Sequence, residues 1–201
     1  RDLRMSRGLG DVYKRQPTFS FFQPAAIFGT MQTKEAMNHM ILHPEELDRS
    51  SFRKLGDFED LLTTSDTYSG KKTEEGFFPD VLRLSSNGKD TSVSVTKVCG
   101  KNRTITSCEI HSDCCEGVLP LDGDIYLYAA PPFWYMQLDQ TRLFRVPKGT
   151  MVKLKPGVIH GAPISVTGDP VNVLILLPER TYSNDCQFTQ LEEKDYMQIE
   201  D

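Results

Sequence analysis

The amino-acid sequence predicts an all-β fold, a sandwich or barrel of short strands with one short helix before them. Three observations predict it. From Val81 onward, short runs rich in apolar and β-branched residues recur at intervals of roughly ten residues. Turn-forming pairs punctuate them at Asn87-Gly88, Asp122-Gly123 and Pro156-Gly157. Nothing between those runs has a sustained helical period. The 201 residues are 38% hydrophobic and 25% charged, the composition of a globular domain with room for an added arm.

Taken in order, residues 1–40 read as an extension outside the fold. Arg1–Gln16 carries five basic and two acidic residues and no apolar core of a signal peptide. Its Arg content fits a mitochondrial presequence less well than it fits a non-native origin: Asp11 to Gln16 resembles the translation of a DNA-library adapter. Residues 17–39 have no clean period, and Met31, Met37 and Met40 are each candidate starts. The domain therefore runs over 41–201. Ser50 or Ser51 is positioned to cap a helix over Phe52–Leu55 that Gly56 stops. Thr63 to Glu75, rich in Thr, Ser, Gly and Lys, reads as an exposed loop. Strands follow at 81–84, 92–98, 103–111, 117–121, 124–130, 143–146, 150–154, 164–166 and 171–177. The acidic end, 191–201, reads as a terminal helix or tail.

Two segments concentrate chemistry. On a strand, residues i and i+2 face the same way, so Glu109 and His111 project together. Glu116 returns on the next strand after the turn 112–115. Pro156-Gly157 turns the chain so that His160 opens a strand of its own. If the two hairpins meet, two imidazoles and two carboxylates share a pocket, a donor set suited to a divalent metal, Mn, Fe, Ni or Zn, with positions left for substrate oxygen. The plainer readings are a turn histidine at His160 and solvated strand carboxylates at Glu109 and Glu116. An inward carboxylate, however, demands a cation: a metal, Lys155 or Arg145. Cys114-Cys115 reads as small loop residues beside the site, and Trp134 and Tyr135 as a lid or dimer surface.

These residues resemble the cupin superfamily. Its first motif, H-x-H-x(3,4)-E-x6-G, is matched in spacing by Glu109, His111, Glu116 and Gly123, with Glu in place of the first His. Its second is approximated by Gly149, Pro156, Gly157 and His160, one residue longer before the turn and without the terminal Asn. Within the superfamily the chain is similar to the ureidoglycolate lyase family over about Ser50 to Cys186. The resemblance rests on Val118, Pro120 and Leu121 after Glu116, on Phe144 to Gly149, on Val158 to Pro163, and on Val171 to Leu176. Departures fall in the pocket: Glu116 replaces a Gln, Gly161 replaces the second His of a His-His pair, and Lys155 stands where another His is common.

The resemblance implies a cupin-type jelly-roll barrel and a lyase cleaving ureidoglycolate to glyoxylate and urea, in allantoin breakdown. His111, His160 and Glu116 would then be catalytic, and Glu109, His111, Glu116 and His160 would hold the metal. Lys155, Arg145 and Arg180 would anchor the substrate carboxylate. Alternatives are a metal-dependent isomerase or epimerase of sugars or keto acids, and a non-catalytic binder of small acids. Cupins are often homodimers, and a homodimer is expected on that analogy.

Other classes fit poorly. With 23 basic against 28 acidic residues the net charge is -5, which gives no general attraction to nucleic acid or anionic membrane. No apolar run is long enough for a membrane span. Five cysteines at 99, 108, 114, 115 and 186, an odd number with no C-x-x-C pair, argue against a disulfide framework and fit a reducing, cytoplasmic setting.

Overall fold

A computed structural model describes residues 39–63, 76–100, 102–132 and 137–201. The expectations for 1–38, for most of the loop 63–75, and for Trp134 and Tyr135 lie outside the described residues. The chain forms β1 (Met40–Leu42), β2 (Pro44–Glu46), the helix α1 (Arg49–Phe52) and β3 (Gly56–Asp60). Next come β4 (Thr91–Val98), β5 (Thr104–Ile105), β6 (Ser107–Ile110), β7 (Glu116–Pro120) and β8 (Ile125–Ala130). Then follow β9 (Arg142–Val146), β10 (Thr150–Leu154), β11 (Ile159–His160), β12 (Ile164–Ser165) and β13 (Val171–Pro178). The helix α2 (Thr181–Asn184), β14 (Gln187–Gln190) and β15 (Met197–Ile199) complete it.

The fold is all-β, two sheets face to face. One sheet has the order β3-β10-β7-β13-β4; the other runs β14-β6-β11-β8-β9-β2, with β12 also on β8. Among the described residues the strands do not close into one continuous hydrogen-bonded barrel. Between the sheets lies the main core. Val118, Val152, Leu154, Val173 and Ile175 come from one side, and Ile125, Leu127, Ala129, Phe144 and Val146 from the other. Phe144 meets Phe52 of α1 edge-on, with ring centroids 5.0 Å apart, so the helix plugs this core.

A third, small sheet, β1-β15-β5, changes the pattern of its neighbour. It delivers Leu42, Ile105, Met197 and Ile199 onto the outer side of the second sheet, against Tyr126, Tyr128 and Leu143. All six residues of β8 are buried as a result. An antiparallel strand normally alternates buried and exposed; here both faces are covered.

Several local expectations are corrected. The helix starts earlier than Ser50, because the Asp48 carboxylate accepts from the backbone N–H of Ser50 and Ser51 and makes Asp48 the N-cap. Gly56 opens β3, where a Cβ would stand 1.8 Å from the Lys153 carbonyl oxygen. Residues 81–84 form no strand; Leu84 instead lies over Gly117. The stretch 103–111 divides at Thr106 into β5 and β6, which serve different sheets. The C-terminal segment is no tail: β15 pairs in parallel with β1 and buries Met197 and Ile199. Among the described residues no helix is long and apolar enough to cross a membrane.

Candidate metal centre

The two hairpins do meet. His160 of β11 lies directly opposite Glu109 of β6 on one side and Ala129 of β8 on the other. Directly paired residues share a face, and Ala129 belongs to the core between the sheets, so Glu109 and His160 face inward. His111, two residues beyond Glu109, shares that face. Glu116 enters from the opposite sheet, where it pairs with the core residue Leu154. One ligand atom from each of Glu109, His111, Glu116 and His160 can be chosen so that all four lie within 4.8 Å of one another. His111 and His160 are each 2% exposed and Glu116 5% exposed, while Glu109 is half-buried.

The hydrogen bonds set the imidazoles' chemistry. His111 Nδ1 lies 2.7 Å from the Asp185 carbonyl oxygen, and His160 Nδ1 lies 2.9 Å from that of Val158. A carbonyl only accepts, so both rings carry their proton on Nδ1. Both Nε2 atoms therefore turn toward the cluster. His160 Nε2 is 2.8 Å from Glu116 Oε2, and His111 Nε2 is 3.1 Å from the same oxygen. The second contact is off the line of a hydrogen bond, and among the described residues His111 Nε2 is buried without a hydrogen-bond partner.

Two neutral imidazoles would present lone pairs to a carboxylate, which repels them. The arrangement needs protons on Nε2 or a cation among the four groups. Without a cation, the electrostatics follow the first solution. Burial alone disfavours the charged form of both histidines, but the Glu116 carboxylate outweighs it and leaves both pKa values raised. Burial would likewise raise Glu116, yet the two histidines hold it down to about 2. The donor set, two imidazole Nε2 and two carboxylates with one orphaned buried nitrogen, fits a divalent first-row metal.

Two supporting residues were not legible in the sequence. The Asp185 carboxylate accepts from the backbone N–H of Ser112 at 2.7 Å and of Asp113 at 3.0 Å, while its carbonyl holds His111. It thus ties the loop between His111 and Glu116 to the end of α2. The Cys186 thiol donates to Glu109 Oε2 at 3.3 Å. Burial and Glu109 push that thiol up to about 12, so it stays protonated. No local spacing announces either contact, since 74 residues separate Asp185 from His111.

The three cations expected to hold a carboxylate do not join the cluster. Arg145 alternates with the core residues Phe144 and Val146, so it faces outward and pairs with Asp124 at 2.7 Å. Lys155 folds back, and its Nζ donates to the Arg53 carbonyl oxygen behind α1. Arg180 sits in the left-handed region at φ 62 with a largely exposed side chain, 4.0 Å from Glu179. Cys114 is buried beside the Thr181 hydroxyl, and neither Cys114 nor Cys115 belongs to the four-residue group. Gly161 has a steric reason: a Cβ there would stand 1.8 Å from the Tyr128 hydroxyl, which donates to the Ser107 carbonyl. Tyr128 fills the space a second histidine would need.

No protein-family model matches the chain, and no curated protein matches it in sequence. Among solved structures it is similar to oxalate decarboxylase of Bacillus subtilis, in a study of that enzyme's Mn(II) centres. Identity is 13% over 51% of this chain and 24% of that one, with a TM-score of 0.38. A mutant of the same enzyme gives 13% identity over the same shares at a TM-score of 0.37. A further structure, from work on proton-coupled electron transfer in oxalate decarboxylase, gives 11% identity over 54% of this chain and 27% of that one, TM-score 0.37. The chain spans about a quarter of the length of these solved chains.

Proposed function

We propose that this chain is a metal-dependent lyase of small hydroxy acids, cleaving a ureido-substituted hydroxy acid to glyoxylate and urea. One observation carries the metal part: two histidines, their Nδ1–H groups committed to carbonyls, aim both Nε2 atoms at one buried carboxylate oxygen. The choice of substrate rests on the resemblance of the two sequence segments to the ureidoglycolate lyase family.

Glu109, His111, Glu116 and His160 would hold the cation, which when bound polarises hydroxyl or carboxylate oxygens of the substrate. The expected double duty of the histidines is then resolved chemically. An imidazole that ligates through Nε2 and keeps its Nδ1–H on a carbonyl has no proton to exchange. His111 and His160 hold, and acid–base work falls to Glu109, the most accessible of the four, whose carboxylate would give one oxygen to the cation and keep the other as base. It takes the substrate's hydroxyl proton as the C–N bond breaks, the carbonyl of glyoxylate forms, and the departing ureido nitrogen regains a proton to leave as urea.

The test is elemental analysis of the purified protein together with a urea-release assay before and after chelation. The expected result is a stoichiometric divalent metal and urea release from ureidoglycolate that chelation abolishes and added metal restores. Protein that retains no metal and releases no urea refutes the reading. Metal retained without urea release refutes the lyase and leaves the isomerase or epimerase of sugars or keto acids.

A further inference from the structure

The pairing register extends the row of the candidate site by one strand. Glu109 faces His160, His160 faces Ala129, and Ala129 faces Arg142 of β9. All four occupy the inner face, since Ala129 and, two residues along β9, Phe144 belong to the core between the sheets. Neighbouring strands lie about 4.8 Å apart, so Arg142 begins about 10 Å from His160.

Arg142 is half-buried and lines a cavity of about 280 Å³ at this end of the sandwich, with Ser51, Lys54, Pro131, Asp139 and Thr141 among the other walls. The guanidinium is held from behind. Nε donates to Glu45 Oε1 at 2.8 Å, Nη2 to Glu45 Oε2, and Nη1 to the Ser51 carbonyl at 3.1 Å. A guanidinium carries five N–H donors, so two remain. Thr141, 6% exposed, has a buried hydroxyl without a hydrogen-bond partner among the described residues. The charges at the cavity are Arg142 and Lys54 against Glu45 and Asp139.

We infer that this cavity is an acid-binding site: Arg142, pre-oriented by Glu45 and assisted by the Thr141 hydroxyl, receives the carboxylate of a small organic acid. Unlike Arg145, Arg142 lies on the inner face of β9. Arginine suits the role because its planar fork matches a carboxylate, and a carboxylate behind it fixes the fork's direction.

The experiment is a calorimetric titration of the full chain, metal-loaded and metal-free, with malate and with its neutral diamide. Wild type is compared with Arg142→Gln, Arg142→Lys, Glu45→Gln and the outward-facing control Arg145→Gln. Malate binding is expected to weaken at least tenfold in Arg142→Gln, to recover in part in Arg142→Lys, and to remain at wild-type strength in Arg145→Gln. The diamide is expected not to bind. Glu45→Gln is expected to weaken malate binding by less than Arg142→Gln does, because the fork keeps its charge and loses its fixed direction, whereas a merely structural ion pair predicts a lower melting temperature with malate affinity unchanged. Equal malate affinity in wild type and Arg142→Gln, no malate binding to wild type, or unchanged malate affinity in Glu45→Gln overturns the site. Mn²⁺ titrated alone separates the two readings. Loss of malate binding in Arg142→Gln with Mn²⁺ affinity intact supports the subsite, and malate binding that depends on Arg142 in a chain that binds no Mn²⁺ supports it while refuting the metal.

Discussion

Glu116→Gln keeps the shape of the side chain and removes the charge on which both imidazoles close. In the metal-free protein the magnitude follows from the carboxylate's environment. One pKa step corresponds to about 1.4 kcal/mol. Holding Glu116 down from 4.5 to about 2 therefore contributes on the order of 3 kcal/mol to folding. The sign depends on pH. Glu116 has a folded pKa below its unfolded one, so its contribution is complete above about 4.5 and fades as pH falls toward 2. The histidines have folded values raised above the ordinary 6.5, so theirs is complete below that value and fades as pH climbs through the raised ones. The gap between wild type and variant is therefore widest between about 4.5 and about 6.5. Thermal melts near that window are expected to differ by roughly 6–12 °C for a chain of this size. A divalent cation takes the place of the Nε2 protons, so its stabilisation of wild type is expected to grow as pH rises along the alkaline side. The assay is a set of melts from about pH 3 to about pH 8, with chelator and with Mn²⁺ or Zn²⁺. A difference that stays flat with pH, or below about 1 kcal/mol, would refute the charged cluster.

Asp185→Ala removes the acceptor for two backbone N–H groups beside His111. It is expected to lower metal affinity by about 10–100-fold in a competition titration, while an unchanged affinity would mean the loop keeps its place unaided. Gly161→His forces the ring of Tyr128 aside and breaks its bond to Ser107, at a cost of about 2–4 kcal/mol by urea denaturation. A neutral result would show that Tyr128 swings freely out of that space. Phe144→Ala opens a cavity between α1 and the two sheets and is expected to cost about 3–5 kcal/mol. A loss under about 1 kcal/mol would mean that the sheets and the helix do not share this core.

Much of the centre could be read before any coordinates, for a local reason. Alternation along a strand puts Glu109 and His111 on one side whatever the strand pairs with, and a Pro-Gly turn delivers His160 to a strand start. Which face of β9 turns inward is not legible in the same way. Arg145 and Arg142 sit three apart on β9, so alternation assigns them opposite faces without saying which face is inside. The core position of Phe144 puts Arg142 on the inner face and Arg145 on the outer one. The C-terminal segment misled for a related reason: 191–201 is acidic and short, and only the partner strand β1, more than 150 residues earlier, makes Met197 and Ile199 core residues.

From the chain alone came the all-β class, the turns, and the clustering of two carboxylates with two imidazoles. These depend on backbone period and turn chemistry, which act over a few residues. Tertiary structure alone decided that a third sheet covers the outside of β8, that Asp185 orients His111 across 74 positions, and that Arg142 completes the inward row. Such outcomes depend on strand register and on which face is shielded from water, and neither is encoded in spacing along one strand.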